Sequence, residues 1–379
     1  MKSRDVLEKF VKDGSNTSAS WNKTPLALKL GVQYPIIQGA LGGFSTQRLA
    51  SIVSNFGGLG SFGAHGLAPD AIKTVIEQIR EQTSKPFAMN LWVSMEDDRA
   101  FTSSREAFDR SLKPLAPLIK EFGGILPAFQ PYAPIKFESQ MRVIIDAKVP
   151  VFSFIFGIPP KEILEECRKQ NIVTIGGATT PEEAIALDKA GVDAIVASGF
   201  EGGGHRGSFL RAAENSLYGT FSLVPQVADL VSVPVIAAGG IADARGIVAA
   251  FALGAQGVQM GTAFLGSEES GASKLHRETI LQNKAGHTAL TKGFTGRLAR
   301  GVQNHLMDLM NDKEIETLPY PLQRLLVKNL TAYSEKAVRP ELMQLWAGQS
   351  APLSRHSDAK TFLKELVSEL DNNMKERNL

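Results

Sequence analysis

Eight short apolar runs alternate with helical patterns along the first two thirds of the chain. Most of these runs are continuous in Val, Ile, Ala and Phe, which is typical of strands covered on both faces. They span residues 32–37, 58–62, 86–92, 150–155, 172–176, 193–198, 233–238 and 256–261. Amphipathic stretches lie between them, among them 46–55, 69–81, 181–190 and 243–253. Eight strands that alternate with helices predict an α/β fold, the TIM (β/α)8 barrel.

A doubly wound open sheet is the alternative architecture. It is disfavoured because no G-x-G-x-x-G motif opens a helix after the first strand. The 379 residues suffice for one barrel and an appendage. We predict an N-terminal extension over 1–23, the barrel over 24–265, a helical C-terminal lid or side domain over 266–350, and a C-terminal helix over 351–379. Within the last two, helical patterns cover 267–284, 314–327, 339–346 and 357–375.

Composition excludes several classes of protein. The net charge of +2 gives no basic field for nucleic acid. No apolar run reaches the roughly 20 residues of a membrane span, and the charged N-terminus is no secretory signal. The single Cys167 suits a reducing compartment, so we expect a cytoplasmic protein, monomeric or homodimeric, that binds neither nucleic acid nor membrane. No His, Cys and carboxylate group has metal-ligand spacing, and no metal is expected.

The string Glu201-Gly202-Gly203-Gly204-His205-Arg206-Gly207 follows the sixth apolar run. Glycines let a flat ligand approach the backbone, and a histidine there can act as an acid, a base or a hydrogen-bond donor. Other conspicuous residues lie at the ends of this strand and of others: Gln38, Gly39, Asn90, Ser198, Gly239, Gly240, Gly261 and Thr262. Ligands of such barrels bind at the C-terminal ends of the strands, so these positions predict one site. His65, just past the second strand, is a candidate for the mouth of that site.

Two glycine-containing turns follow the seventh and eighth strands, at Ala238-Gly239-Gly240 and at Gln259-Met260-Gly261-Thr262. Turns at these places commonly bind phosphate through backbone N–H groups. The alternative is that the glycines only permit tight turns. The phosphate interpretation implies a flavin mononucleotide or a sugar phosphate as ligand.

Four segments together resemble the nitronate monooxygenases, once called 2-nitropropane dioxygenases. They are 197–207 with the histidine string, 257–265 followed by Glu268-Glu269-Ser270, Thr295-Gly296-Arg297-Leu298-Ala299-Arg300-Gly301, and Trp346-Ala347-Gly348-Gln349. The resemblance runs from about residue 24 to residue 349. It implies a TIM barrel that binds FMN non-covalently and oxidises alkyl nitronates with O₂ to a carbonyl compound and nitrite.

The resemblance also implies roles for individual residues. Residues at the ends of the predicted strands are added to the predicted FMN contacts. His205 would be the catalytic base or the group that orients the substrate. Arg206 would attract the anion or form a structural ion pair. The predicted FMN contacts are Gln38, Gly39, Asn90, Ser198, Gly203, Gly204, Gly239, Gly240, Gln259, Met260, Gly261 and Thr262.

The sequence departs from the family pattern on the substrate side. Gly39-Ala40-Leu41-Gly42-Gly43 replaces an Ala-Pro-Met-Ala-Gly string, Ser198 replaces a frequent Gln, and His65 lies near a frequent Tyr. Three alternatives stay open: an FMN-dependent NAD(P)H reductase acting on quinones or enoyl thioesters, a flavin-free sugar-phosphate isomerase or lyase, and a flavin-storage protein. The second would require a Schiff-base lysine or an acid/base pair, and no lysine ends a predicted strand.

Overall fold

The computed structural model describes residues 20–94, 97–130, 134–282 and 284–376. Most of the predicted extension over 1–23 lies outside these residues. Eight parallel strands form the central sheet. They are β1 Ile36–Gln38, β2 Gly60–Gly63, β3 Phe87–Trp92, β4 Val151–Ile155, β5 Val173–Ala178, β6 Ala194–Ser198, β8 Val235–Ala238 and β9 Gly257–Met260. Each lies within or next to one of the eight apolar runs, and the strand predictions are confirmed.

The sheet closes into a barrel. Its strand order is β1-β9-β8-β6-β5-β4-β3-β2, and the two end strands meet through the residue before β2. There the N–H of Gln38 donates to the carbonyl of Leu59 at 2.9 Å, and the N–H of Leu59 donates to that of Ile36 at 3.0 Å. The (β/α)8 fold is therefore confirmed, and the open sheet is wrong.

Fifteen α-helices surround the barrel or follow it in the described residues. They are α1 Pro25–Leu30, α2 Gln47–Phe56, α3 Pro69–Gln82, α4 Arg105–Leu112, α5 Ala116–Glu121, α6 Phe137–Asp146, α7 Lys161–Lys169, α8 Pro181–Ala190, α9 Thr220–Leu230, α10 Ala244–Ala252, α11 Thr262–Leu265, α12 Lys274–Leu281, α13 His305–Met310, α14 Leu322–Lys336 and α15 Ala359–Glu376. None of the described helices has both the length and the apolar character needed to cross a membrane.

Local signals explain why the predicted bounds of α8 are met at both ends. The hydroxyl of Thr180 accepts the N–H of Glu183 at 3.2 Å, and Pro181 occupies the first turn. Gly191 ends the helix in the left-handed conformation with φ +80°. These are the N-cap and the C′ glycine that stop backbone groups from remaining unpaired at helix ends.

The chain between β9 and α15 folds over the C-terminal ends of the barrel strands. Besides helices it contains an antiparallel sheet of β10 Thr288–Thr291, β11 Ala299–Val302 and β7 Gly204–His205, the last contributed by the histidine loop. The helix expected over 339–346 is wrong: only a 3-10 turn, Pro340–Leu342, forms there, and Trp346 pairs with Gly301 as a β-bridge. The helix expected over 314–327 begins only at residue 322, after Pro319 and Pro321.

The C-terminal helix α15 packs against α10 and α2. Its Phe362, Leu363, Leu366 and Leu370 are buried in the same core as the barrel strands and their helices. The last helix of the barrel is thus supplied by the end of the chain, and the segment that covers the site is inserted before it.

Candidate active site

A cavity of about 390 Å³ opens at the C-terminal ends of the barrel strands, beneath the segment between β9 and α15. Loops after six of the eight strands reach it, as the barrel prediction required. Most of the predicted site residues line it: Gly39, Asn90, Ser198, Gly203, Gly204, His205, Gly239, Gly240, Gln259, Gly261 and Thr262.

Two predicted cofactor residues lie behind this lining. The side-chain amide of Gln38 is enclosed and donates to the carbonyls of Gly39 and Ser61 at 2.9 and 2.8 Å. The side chain of Met260 is also fully buried, and its carbonyl accepts the N–H of Gly39 at 2.8 Å. Both residues hold the loop after β1 in place rather than facing the cavity.

The turns after β8 and β9 form a cradle of backbone groups. Gly239 and Gly240 have φ of +98° and +73°, a region that glycine enters without strain. Within the described chain, the N–H groups of Gly240 and Gly261 donate to no acceptor. A Cβ on Gly39 would approach the Cα of Gly261 to 3.3 Å, so the loop after β1 presses close to this turn. Unpaired N–H groups facing a cavity are the donors that a phosphate requires.

The turn Trp346-Ala347-Gly348-Gln349 locks onto the histidine loop. A Cβ on Gly203 would lie 2.6 Å from backbone atoms of Ala347 and Gly348, so only glycine permits this contact. The N–H of Gly348 donates to the Thr262 hydroxyl at 2.9 Å, and the N–H of Gln349 donates to the carbonyl of Glu201 at 2.9 Å. The loops after β6 and β9 are thereby tied to the C-terminal segment.

His205 lies in β7, paired with Ala299 of β11, rather than in a free turn. Its Nε2 is 2.8 Å from the hydroxyl of Thr295, which in turn donates to the carbonyl of Arg297 at 3.3 Å. Because the Thr295 hydroxyl donates its hydrogen to this carbonyl, it accepts a hydrogen bond from Nε2–H of His205. The Nδ1 lone pair of His205 is therefore the side of the ring left for a ligand.

Burial lowers the pKa of His205 well below its usual value, and the nearby His65, Arg297 and Arg324 lower it further. The imidazole is consequently neutral at neutral pH. Rings surround it: the centroid of Trp92 lies at 4.9 Å and that of Trp346 at 5.3 Å. The site holds a neutral base in a largely apolar wall.

The family model and the curated relatives both indicate one family. The family model described as nitronate monooxygenase matches residues 23–369. The chain belongs to the nitronate monooxygenase family. A protein named probable nitronate monooxygenase, from Staphylococcus aureus (strain JH9), is 42% identical over 357 residues, covering 93% of this chain and 98% of that protein. The family is one of oxidoreductases, and the match extends beyond residue 349 into α15.

Solved structures of similar fold include two of related sequence. A nitroalkane oxidase from Streptomyces ansochromogenes superposes with a TM-score of 0.83 at 33% identity, covering 92% of this chain and 99% of that one. FabK from Thermotoga maritima gives a TM-score of 0.69 at 28% identity, with 94% and 98% of the two chains covered.

In this nitronate monooxygenase family member, Arg206 is a structural residue and does not line the cavity. It is 3% exposed, and its guanidinium donates to the carbonyls of Ser198 and Ser216, both at 2.9 Å. These bonds join the end of β6 to the loop that follows the histidine. Of the two roles considered for Arg206, the geometry supports the structural one, with carbonyls as partners rather than a carboxylate.

Several cavity residues were not predicted from the sequence, among them Trp92, Tyr320 and Arg324. Trp92 ends β3, so an aromatic residue at a strand end was an available signal. Tyr320 lies just before α14 and Arg324 lies in it. This helix reaches the barrel only through long-range packing. Nothing in their local sequence distinguishes them from surface residues.

Arg297 completes the wall behind Trp92. Its guanidinium carbon lies 4.3 Å from the ring centroid of Phe156 and 4.9 Å from that of Tyr320. Its charge is balanced by Asp97, whose Oδ1 accepts from Nε at 2.9 Å. This arginine holds the aromatic wall together through cation–π contacts.

Proposed function

We propose that this protein binds FMN and oxidises alkyl nitronates with O₂ to a carbonyl compound and nitrite. The observation that carries the proposal is the orientation of His205. Its Nε2–H is held by Thr295, so the Nδ1 lone pair is available in a cavity that also contains the N–H cradle of Gly240 and Gly261. A fixed, neutral base beside a phosphate cradle suits a flavin enzyme that handles a substrate α-proton.

The residues of the cavity fit FMN. The N–H groups of Gly240 and Gly261 supply donors for a phosphate, and the absence of a Cβ at both positions leaves room for it. Asn90 and Ser198 supply polar groups elsewhere on the wall. When bound, FMN would accept electrons from the nitronate and pass them to O₂.

Charge in the cavity favours an anionic substrate. Arg324 and Lys328, one turn apart on α14, both line it. Unlike Arg297, Arg324 pairs with no carboxylate among the described residues. An arginine without a carboxylate partner among the described side chains attracts a nitronate anion more strongly than a neutral nitroalkane. In this arrangement His205 removes a proton only when the neutral form is offered, and otherwise orients the anion.

The test measures O₂ consumption and nitrite release by the FMN-loaded protein with ethyl nitronate and with nitroethane. We expect turnover of the nitronate, and His205→Asn should lower kcat/KM for nitroethane by about 100-fold or more, the usual contribution of a general base. The exposed His287, substituted in His287→Asn, is the matched control and should leave both rates unchanged.

Oxidation of NADH or NADPH without nitronate turnover would overturn this proposal and favour the reductase alternative. Flavin binding without any turnover, and without an effect of His205→Asn, would favour flavin storage. The cytoplasmic location, the monomeric or dimeric state and the role of O₂ stay predictions.

A further inference from the structure

The indole ring of Trp92 contacts two imidazole rings in the cavity. The ring of His65, two residues past β2, stacks on the indole of Trp92 with centroids 3.9 Å apart and an interplanar angle of 9°. His205 contacts the same indole edge-on, at 71°. Both histidines line the cavity. His65 is therefore fixed beside the proposed base by a ring contact and not by a hydrogen bond.

His65 differs from His205 and His276 because neither of its nitrogens has a partner among the described residues. His205 bonds to Thr295, and His276 bonds through Nε2 to the carbonyl of Trp346 at 2.8 Å. By contrast, Nδ1 of His65 is enclosed without any hydrogen bond. Nε2 of His65 also has no partner among the described residues and, unlike Nδ1, is not enclosed, so it is the atom of this ring that can bind a ligand in the cavity.

The ring of His65 packs against the loop after β1, and its two nitrogens differ in their access to the cavity. A Cβ on Gly42 would lie 2.2 Å from Cε1 of His65, so this ring position requires glycine at residue 42. That Cβ would lie 3.1 Å from Nδ1 and 3.2 Å from Nε2, so the loop does not itself distinguish the two nitrogens; Nδ1 is enclosed, whereas Nε2 is not. In the neutral tautomer of His65 that carries its hydrogen on Nε2, the single N–H donor faces the cavity. Only the lone pair of Nδ1 then stays unpaired.

The charge around His65 indicates the kind of ligand. Burial, together with the nearby charges of Arg324 and Arg297, lowers the pKa of His65 to about 3, so the ring is neutral at neutral pH. Arg297 is paired with Asp97, whereas Arg324 lines the cavity and has no carboxylate partner among the side chains that the structure describes. A cationic ligand would be repelled, and an anionic oxygen that accepts a hydrogen bond suits both Arg324 and a neutral imidazole.

We propose that His65 is a substrate-binding residue whose Nε2–H donates a hydrogen bond to an oxygen of the nitronate. The proposal rests on the proposed function. It divides the work between the two imidazoles: His205 faces the carbon that carries the proton, and His65 holds the nitro oxygen. Arg324 supplies the balancing charge.

Three substitutions separate hydrogen bonding from packing. His65→Phe keeps a ring on Trp92 and removes both nitrogens, His65→Gln places an amide near Nε2, and His65→Asn places one near Nδ1. With ethyl nitronate, we expect His65→Phe and His65→Asn to raise KM about tenfold while kcat changes far less, and His65→Gln to stay close to the wild type. FMN affinity and the unfolding temperature should be similar in all four proteins.

A second measurement does not depend on turnover. Nitrate, a planar oxyanion that does not react, is titrated into the oxidised FMN-loaded protein and followed by the flavin difference spectrum. We expect the dissociation constant of nitrate to rise in His65→Phe and His65→Asn and to stay close to the wild-type value in His65→Gln. If His65→Phe does not fold, the contrast between Gln and Asn carries the test.

The two proposals fail in different ways. A wild-type protein that does not oxidise nitronates, but binds nitrate in a manner weakened by His65→Phe, overturns the proposed function and keeps His65 as an anion-binding residue. Turnover and nitrate binding that are both indifferent to residue 65 overturn the role of His65 alone. Nitrate that causes no spectral change in the wild type also overturns that role.

Discussion

Thr295 gives His205 its direction. A neutral imidazole has one donor and one acceptor, and the hydrogen bond made by one nitrogen decides which remains for the substrate. Here the 2.8 Å contact of Nε2 with Thr295, and the 3.3 Å bond from that hydroxyl to the Arg297 carbonyl, favour the tautomer with the proton on Nε2. Thr295 thus acts on the substrate through His205, as a positioning residue.

Thr295→Val tests this arrangement. Valine has nearly the same shape and cannot accept from Nε2, so the imidazole loses its preferred tautomer and orientation. We expect kcat/KM to fall about tenfold for nitroethane, which must lose a proton, and less for ethyl nitronate, which need not. Thr295→Ser, which keeps the hydroxyl, should restore the nitroethane rate. Equal losses on both substrates in Val and Ser variants would contradict the positioning role.

Gly261 permits a separate test of the phosphate cradle. A Cβ there would meet only Leu41 Cδ2, at 3.7 Å, so alanine fits the protein and its methyl group enters the open cavity. Gly261→Ala should therefore fold normally and weaken FMN about tenfold or more, whereas riboflavin, which has no phosphate, should lose less. Dissociation constants from flavin fluorescence check this. Equal losses for FMN and riboflavin would show that the phosphate lies elsewhere.

At the scale of elements, the site depends on the segment inserted between β9 and α15. It supplies Thr295, Tyr320, Arg324 and Trp346 to the cavity, and its strand β11 pairs with the histidine loop. The barrel alone provides the glycine turns and Asn90. The two parts therefore complete one site, and neither contains all of its polar groups.

This division also separates what the sequence predicts from what it does not. The barrel strands are buried on both faces, so their continuous apolar runs are visible without tertiary information. The strands β10 and β11 have four residues each, and β11 includes the buried Arg300, so no period of two distinguishes them. Arg324 lines the cavity only because α14 packs over the barrel. Long-range packing of this kind leaves no local pattern.

The helix α15 gives a prediction about stability. Leu363 is fully buried in the barrel core, whereas its neighbour Lys364 is exposed. Leu363→Ala should lower the free energy of unfolding by about 2–5 kcal/mol, the usual cost of a cavity in a core. Lys364→Ala should change it by less than about 0.5 kcal/mol. Urea unfolding measures both; a small effect at Leu363 would mean that α15 is not part of the barrel core.

At the scale of the whole molecule, three histidines are uncharged in the folded protein at neutral pH. His276 is buried beneath the Trp346 turn, and burial lowers its pKa to about 4. Burial also lowers the pKa of His65 to about 3 and that of His205 well below its usual value. All three lie where the C-terminal segment meets the barrel. Because the C-terminal segment shields these histidines from water, the stability of the entire fold depends on pH.

That consequence is a loss of stability in mild acid. In the unfolded chain these histidines bind protons as the pH falls below about 6.5, whereas in the folded chain they do not until the pH is far lower. Protonation therefore favours the unfolded state, and each histidine should cost on the order of 2 kcal/mol between pH 7 and pH 5. Carboxylates with lowered pKa values add to this only below about pH 4.5, so the histidines dominate the interval.

Urea unfolding of the flavin-free protein at pH 7, 6 and 5 measures this loss directly. His276→Gln, whose amide can still donate to the Trp346 carbonyl, removes one of the three proton-binding groups without emptying its place. Its free energy of unfolding should decline by about a third less over the interval, because two titrating groups remain. A stability that is flat between pH 7 and pH 5 would mean that these imidazoles reach solvent, and that the cavity is more open than its lining indicates.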